Sequence, residues 1–208
     1  MIADQIAALQ GEMQLRPVGL QHHVKRVLVE ALQLARVWLV DEERVELAVW
    51  GHDLFRAEPP AEQLRLARSV GIPIDADEET HPILLHGPVA AAVLRERWSI
   101  TDEEVLVAVR DHTAGLGEMS VLAKILLVSD KVEATKRRGK PALTGLRQLA
   151  RRDLDTAILC WGDWRWVAEA SRGMAPQRAH WRARCQWVSN HHSEVGMPIR
   201  IPDDMFEA

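Results

Sequence analysis

The chain has 208 residues, enough to bury one good hydrophobic core and fitting a single domain with at most a small appendage. Lys and Arg number 26 against 30 Asp and Glu, a formal charge of -4, so no general basic field draws the protein to nucleic acid or to a membrane, and an anionic ligand has to be met by local cations. Two cysteines, Cys160 and Cys185, are too few and too far apart for a thiolate zinc site or a disulfide framework. With no basic-then-apolar leader and no apolar run near the roughly 18 residues that span a bilayer, a soluble cytoplasmic protein is expected.

Residues 1–17 predict a short helix ending at Pro17. From Leu20 a helical stripe is clear in Val24, Val27, Leu28, Ala31, Leu34, Ala35 and Trp38, and His23 shares it one turn before Val27. His22 points about 100° away and is expected in solvent. Asp41 can cap the next helix, which runs through Val45, Ala48 and Val49 to His52, with Asp53 immediately after. Residues 55–81 change character: Pro59 and Pro60 break the pattern, a short amphipathic helix (Leu64, Leu66, Ala67, Val70) ends at Gly71, and an acidic run from Asp75 to Glu79 follows. We expect a loop and flap there, with the acidic run solvated and His81 in a loop.

Helix signal resumes at Pro82, where His86 shares a stripe with Val89, Ala90 and Val93. Thr101 with Glu104 predicts a capping box for a helix whose Val105, Ala108, Val109 and His112 fall on one face. Gly115 and Gly117 then free a turn for close backbone approach. The most apolar helix starts at Ser120 and carries Asp130 on its Leu122/Leu126 side, where an unpaired carboxylate would be costly; a salt bridge to an arginine is the plain alternative to a ligand role. Helical pattern returns from Thr144, followed by a Trp-dense region holding Trp161, Trp164, Trp166, Trp181 and Trp187 with Arg165, Arg172, Arg178, Arg182 and Arg184. Packing of a C-terminal extension or an oligomer contact explains it better than nucleic-acid stacking, which needs a basic groove. His191 and His192 are expected in a polar turn.

Five predicted helices thus aim His23, His52-Asp53, His86, His112 and Asp130 into what should be a dry core. Buried imidazoles and carboxylates are expensive unless paired or coordinated, so a metal centre is the economical common explanation. The order of these residues, with the stretches LLHGPVAAAVL, AVRDHTAG and MSVLAKILLVSDKVEA, resembles the HD-domain metal-dependent phosphohydrolases, in the YqeK-like branch of symmetrical dinucleoside tetraphosphate hydrolases. The resemblance covers roughly residues 20–160. It implies an all-α helical bundle divided as an N-terminal segment 1–17, an HD domain 18–160 and a Trp-rich, helical C-terminal extension 161–208.

It further implies that His23, His52, Asp53 and Asp130 hold one metal ion while His86, His112 and the shared Asp53 hold a second. Imidazole and carboxylate donors suit iron, manganese or zinc, with magnesium also open, and the likeness favours iron. Four neutral imidazoles and two carboxylates leave two divalent ions near +2, which suits a phosphate ligand. The implied chemistry is attack on phosphorus by a hydroxide bound between the two metals, giving two nucleoside diphosphates. Asp53, Lys124 and Arg110 are the implied catalytic residues, and Arg56, Thr113 and Arg137 the implied substrate contacts, with Lys131 nearby.

Every metal ligand of the pattern is kept, while several substrate-side residues differ. Arg56 stands for a lysine, Leu116 for an arginine, Lys131 for an aromatic, Ala134 for a proline, and Lys136 for an arginine that comes one place late at Arg137. The implied partner is a dinucleoside polyphosphate or another nucleotide, with no membrane, no nucleic acid, and a homodimer left open. The alternatives are the same chemistry on a nucleoside monophosphate or alarmone, and a non-catalytic nucleotide-sensing module.

Overall fold

The computed structural model describes residues 1–113, 115, 118–174, 181–186, 188 and 189. Among these every regular element is a helix. Three long helices come first: α1 (Ile2–Gln14), α2 (Val18–Trp38) and α3 (Glu42–His52). Then come α4 (Pro60–Ser69), the five-residue α5 (Ala76–Thr80), a 3-10 helix (Pro82–Leu85), α6 (His86–Trp98) and α7 (Glu103–Asp111). The last group is α8 (Val121–Val132), the single-turn α9 (Ala134–Arg137), α10 (Pro141–Ala150) and α11 (Leu154–Ala170), which runs through position 161 without a break. None of the described helices is long and apolar enough to cross a membrane.

The bundle is built around α8. Its sequence is strongly apolar, and Ile125 to Asp130 are buried without interruption, so it needs neighbours on more than one face. Those neighbours are α2, α3 and α7 on one side and α10 and α11 on the other. Asp130 ends the Leu122/Leu126 stripe, as the spacing predicts, and is therefore carried into the centre of the bundle. The helix starts follow local chemistry: Asp41 accepts from the Glu43 and Arg44 amides, Ser120 from that of Ala123, and Pro60, Pro82 and Pro141 sit at first-turn positions.

Two local expectations are corrected. The cap of α7 is Asp102, whose carboxylate takes the Glu104 and Val105 amides; Thr101 lies one residue too early to reach them. Residues 60–69 form the amphipathic helix that the pattern predicts, α4, but it is packed against the bundle rather than part of a loop and flap. Pro60 begins it rather than breaking it, Ala67 is fully buried, and Gln63 turns inward to donate to the Phe55 carbonyl. The acidic run does lie at the surface, where Asp75 caps α5.

Asp102 also ties α7 to α3. Arg44 meets both its oxygens, at 2.7 and 2.8 Å, and Glu104 at 2.6 Å. The hydrogen bond from Arg44 holds the Asp102 carboxyl below its ordinary 3.8. A carboxyl depressed on folding stabilises above its unfolded pKa and loses that contribution as pH falls through its folded value. Arg44→Met should thus cost about 1 kcal/mol at pH 7, since the pair is one-third exposed, with the deficit shrinking below about pH 4 in urea titrations.

Candidate metal centre

Each histidine of the cluster sits at a helix end or near one, and this is what points the rings inward. His52 closes α3 and Asp53 is its C-cap, His86 opens α6, His112 caps α7, and His23 lies in the second turn of α2. His52, Asp53, His86 and His112 are at most 1% exposed, Asp130 is buried, and His23 keeps 14% of its side chain open. One glycine permits the close approach. A Cβ on Gly87 would lie 2.6 Å from the Arg110 carbonyl oxygen and 3.0 Å from that of Val109, so only glycine lets the start of α6 rest on the end of α7. His86, which adjoins Gly87, and His112, at the end of α7, are thereby brought to 3.0 Å between Nε2 atoms. Gly87→Ala must push backbone away from backbone. It should lower stability by about 1–3 kcal/mol and weaken metal uptake as well, read by thermal melts and by metal analysis after dialysis.

The donor atoms converge on Asp53. Its Oδ1 lies 3.2 Å from His86 Nε2 and 3.3 Å from His112 Nε2; its Oδ2 lies 3.5 Å from the Nε2 of both His23 and His52. Asp130 Oδ1 is 3.0 Å from His23 Nε2. The tautomers follow from a repeated contact. His52 Nδ1 donates to the Val49 carbonyl at 2.6 Å, His112 Nδ1 to that of Val109 at 2.7 Å, and His86 Nδ1 to that of Ile83. A carbonyl can only accept, so each Nδ1 carries the proton and each Nε2 of a neutral ring offers a lone pair.

Burial keeps two of these rings neutral: it lowers His52 to about 4 and His112 below its usual value. Burial also opposes the charged form of Asp53, so its carboxylate needs a cation beside it. His52 Nε2 and both Asp53 oxygens have no hydrogen-bond partner. Lone pairs on ring nitrogens and carboxylate oxygens packed at about 3 Å repel unless a cation lies among them. The donor set fits a divalent ion, and two groups are compact enough to hold one: His23, His52 and Asp130, and His52, Asp53 and His112, their donor atoms within 4.8 Å of one another. The second takes His52 where the family resemblance puts His86.

One supporting residue carried no assignment from sequence. Glu133, one turn beyond Asp130 and 2% exposed, accepts from Arg26 Nε at 2.6 Å and stands 3.6 Å from His23 Nδ1. A carboxylate behind an imidazole fixes its tautomer and raises its basicity. Its position in the SDKVEA stretch was a visible signal; its contact with α2, more than a hundred residues earlier, was not. Glu133→Gln should weaken metal affinity about 10–100-fold with little change in fold, as measured by competition with a chromophoric chelator.

The other nominated residues divide. Thr113 Oγ1 lies 3.3 Å from His86 Nε2, and Arg56 Nε 3.7 Å from Asp53 Oδ2. Both line a cavity of about 410 Å³ that opens on His86 and Asp130. Arg110 is paired with Asp111 and borders a smaller adjoining cavity with Thr113. Lys124 and Arg137 lie away from the cavity: Lys124 pairs with Asp155 at 2.6 Å, and Arg137 is held by the Val132 carbonyl and Glu30. Asp130 is met by lysines rather than an arginine, Lys131 at 2.6 Å and Lys136 at 2.7 Å. Lys140 and Leu143, which carried no assignment, and Trp161 and Arg165, read from sequence as packing or an oligomer contact, also line the cavity, because the return of α10 and α11 onto α8 brings them there. Leu116, Gly117, Arg178, Trp187, His191 and His192 lie outside the described residues.

This helical bundle with five inward-facing His/Asp stations belongs to the HD domain family, whose model matches residues 20–135. Among curated proteins the chain is similar to the symmetrical bis(5'-nucleosyl)-tetraphosphatases of Bacillus subtilis, 30% identical, and Halalkalibacterium halodurans, 35% identical. Each match covers 66% of this chain and 72% of the relative. In structure it is similar to a crystal structure described as a predicted HD superfamily hydrolase involved in NAD metabolism from Clostridium acetobutylicum. That likeness has a TM-score of 0.82 at 25% identity and covers 88% of this chain and 97% of the other.

Proposed function

We propose that the chain is a dimetal phosphohydrolase that splits diadenosine tetraphosphate, or a related dinucleoside tetraphosphate, symmetrically into two nucleoside diphosphates. The observation that carries this reading is the convergence of proton-free imidazole nitrogens and carboxylate oxygens on Asp53, in a chain whose relatives bear that activity in their names. His23, His52, Asp53 and Asp130 would hold one ion and His86, His112 and Asp53 the other, iron being favoured by the family likeness. Bound there, divalent ions would act as Lewis acids, making water acidic enough to attack phosphorus near neutral pH and offsetting phosphate charge.

The protein's own groups have three tasks. The Nδ1–carbonyl bonds and Glu133 keep the rings oriented with lone pairs inward. Arg56, Lys131, Lys136 and Lys140 supply the positive charge that a tetraphosphate needs in a chain of net negative charge. Thr113, within reach of His86, places a hydroxyl where a phosphate oxygen can accept from it. The depth of the cluster keeps bulk water from competing. A cytoplasmic setting is consistent with free Cys160 and Cys185.

With metal-loaded protein and diadenosine tetraphosphate, ion-exchange chromatography should show ADP as the sole nucleotide product. Asp53→Asn should lower kcat by about a thousandfold or more. ATP with AMP would refute the symmetrical cut, and undiminished cleavage by Asp53→Asn would remove this cluster as the catalyst. No cleavage by protein shown to hold metal would move the substrate to another nucleotide.

A further inference from the structure

The cavity over the metal cluster contains more than charge. Its described walls include an indole, that of Trp161, on a helix beyond the residues the HD model matches. The position of this ring is set by the pairing of α8 with α11. Lys124 Nζ meets Asp155 Oδ1 at 2.6 Å; seven residues along α8, Lys131 Nζ lies 5.1 Å from the centroid of Trp161, six residues along α11. The two contacts advance in the same sense, two turns apart, so the helices run side by side in parallel. The Lys124–Asp155 pair acts as a strut that fixes their register. It carries Trp161 to the end of α8 where Asp130 lies, leaving Leu154 and Ala157 to the core.

A pocket for inorganic phosphate alone needs cations and hydroxyls, and Arg56, Lys136, Lys140 and Thr113 provide these. An indole and the apolar side chains of Ile83, Leu84 and Leu143 in the same wall serve a ligand with a flat apolar part. At about 410 Å³ the cavity is of the size that takes a small organic ligand. Lys131 Nζ stands over the ring and the indole is partly buried against the core, so it is the portion lining the cavity that is offered to a ligand.

We propose that Trp161 is the nucleobase platform of this pocket: its indole stacks on the base of one nucleoside diphosphate half while the phosphates face Lys136 and the metal cluster. This rests on the reading of the site given above and adds the residue that distinguishes a nucleotide from an inorganic polyphosphate. Every base has a π face, so the platform recognises bases as a class and selects weakly among them.

The test is calorimetric titration of the metal-loaded full chain with ADP and with pyrophosphate, which shares the phosphates and lacks the base. ADP should bind the unaltered protein more tightly than pyrophosphate does. Trp161→Leu should weaken ADP about tenfold and leave pyrophosphate unchanged, while Trp161→Phe retains most of the ADP affinity. If Trp161→Leu does not fold, fluorescence decides: ADP should quench the unaltered protein and quench Trp161→Phe clearly less. Equal losses for both ligands, no loss for ADP, or undiminished quenching in Trp161→Phe would overturn the platform. Equal affinity of the unaltered protein for the two ligands would overturn it too while leaving the phosphohydrolase reading intact, because that reading is judged by the products of cleavage.

Discussion

A carboxylate buried among imidazoles is stable only if those rings donate protons to it or a cation lies between it and their lone pairs, and the arrangement around Asp53 depends on that condition. Three rings commit their Nδ1 protons to the carbonyl three residues earlier, at Val49, Ile83 and Val109. These carbonyls stand at the end of a helix or in the turn before one, where the backbone has acceptors to spare. The same chain geometry therefore ends the helix, satisfies its carbonyl and turns the Nε2 lone pair inward. Much of the centre's orientation comes from the backbone, and Gly87 is the residue that lets two such ends touch.

Around this core the structure adds two charged ties between segments far apart in sequence. Glu133 joins the end of α8 to Arg26 and His23 on α2. Glu30, also on α2 and buried, takes Arg137 at 2.7 Å and Arg147 at 2.5 Å, anchoring α9 and α10. Buried carboxylates between arginines contribute little net stability beyond their desolvation cost, but losing one partner would strand a charge. Their effect is positional: they hold the segment carrying Lys136 and Lys140 over the cluster, so the cations facing the cavity are set by a scaffold that never touches it.

Arg137 and Lys124 show how a family pattern and a fold can distribute the same residue types differently. Both are basic residues at or near positions that the resemblance assigns to phosphate, and both are committed to carboxylates of the scaffold. The charge facing the cavity comes instead from Lys131, Lys136 and Lys140 with Arg56. A linear motif records residue type and spacing, while α9 turns the chain within four residues and so decides which of Lys136 and Arg137 faces inward.

Helical period alone was enough to place His23, His52, His86, His112 and Asp130 on inward faces, since a face is a local property of 3.6-residue geometry. It also sufficed for the all-helical class and for the Asp41 and Ser120 starts. It found the helix over Leu64 and Ala67 but not that Pro60 begins it or that it packs, and it failed where adjacent Thr101 and Asp102 competed for one cap. Distance was beyond it: which lone pairs meet, that Glu133 stands behind His23, and that Trp161 reaches the cavity. Those relations arise when helices a hundred residues apart pack in one register, and packing is a property of the assembled core that no local window contains.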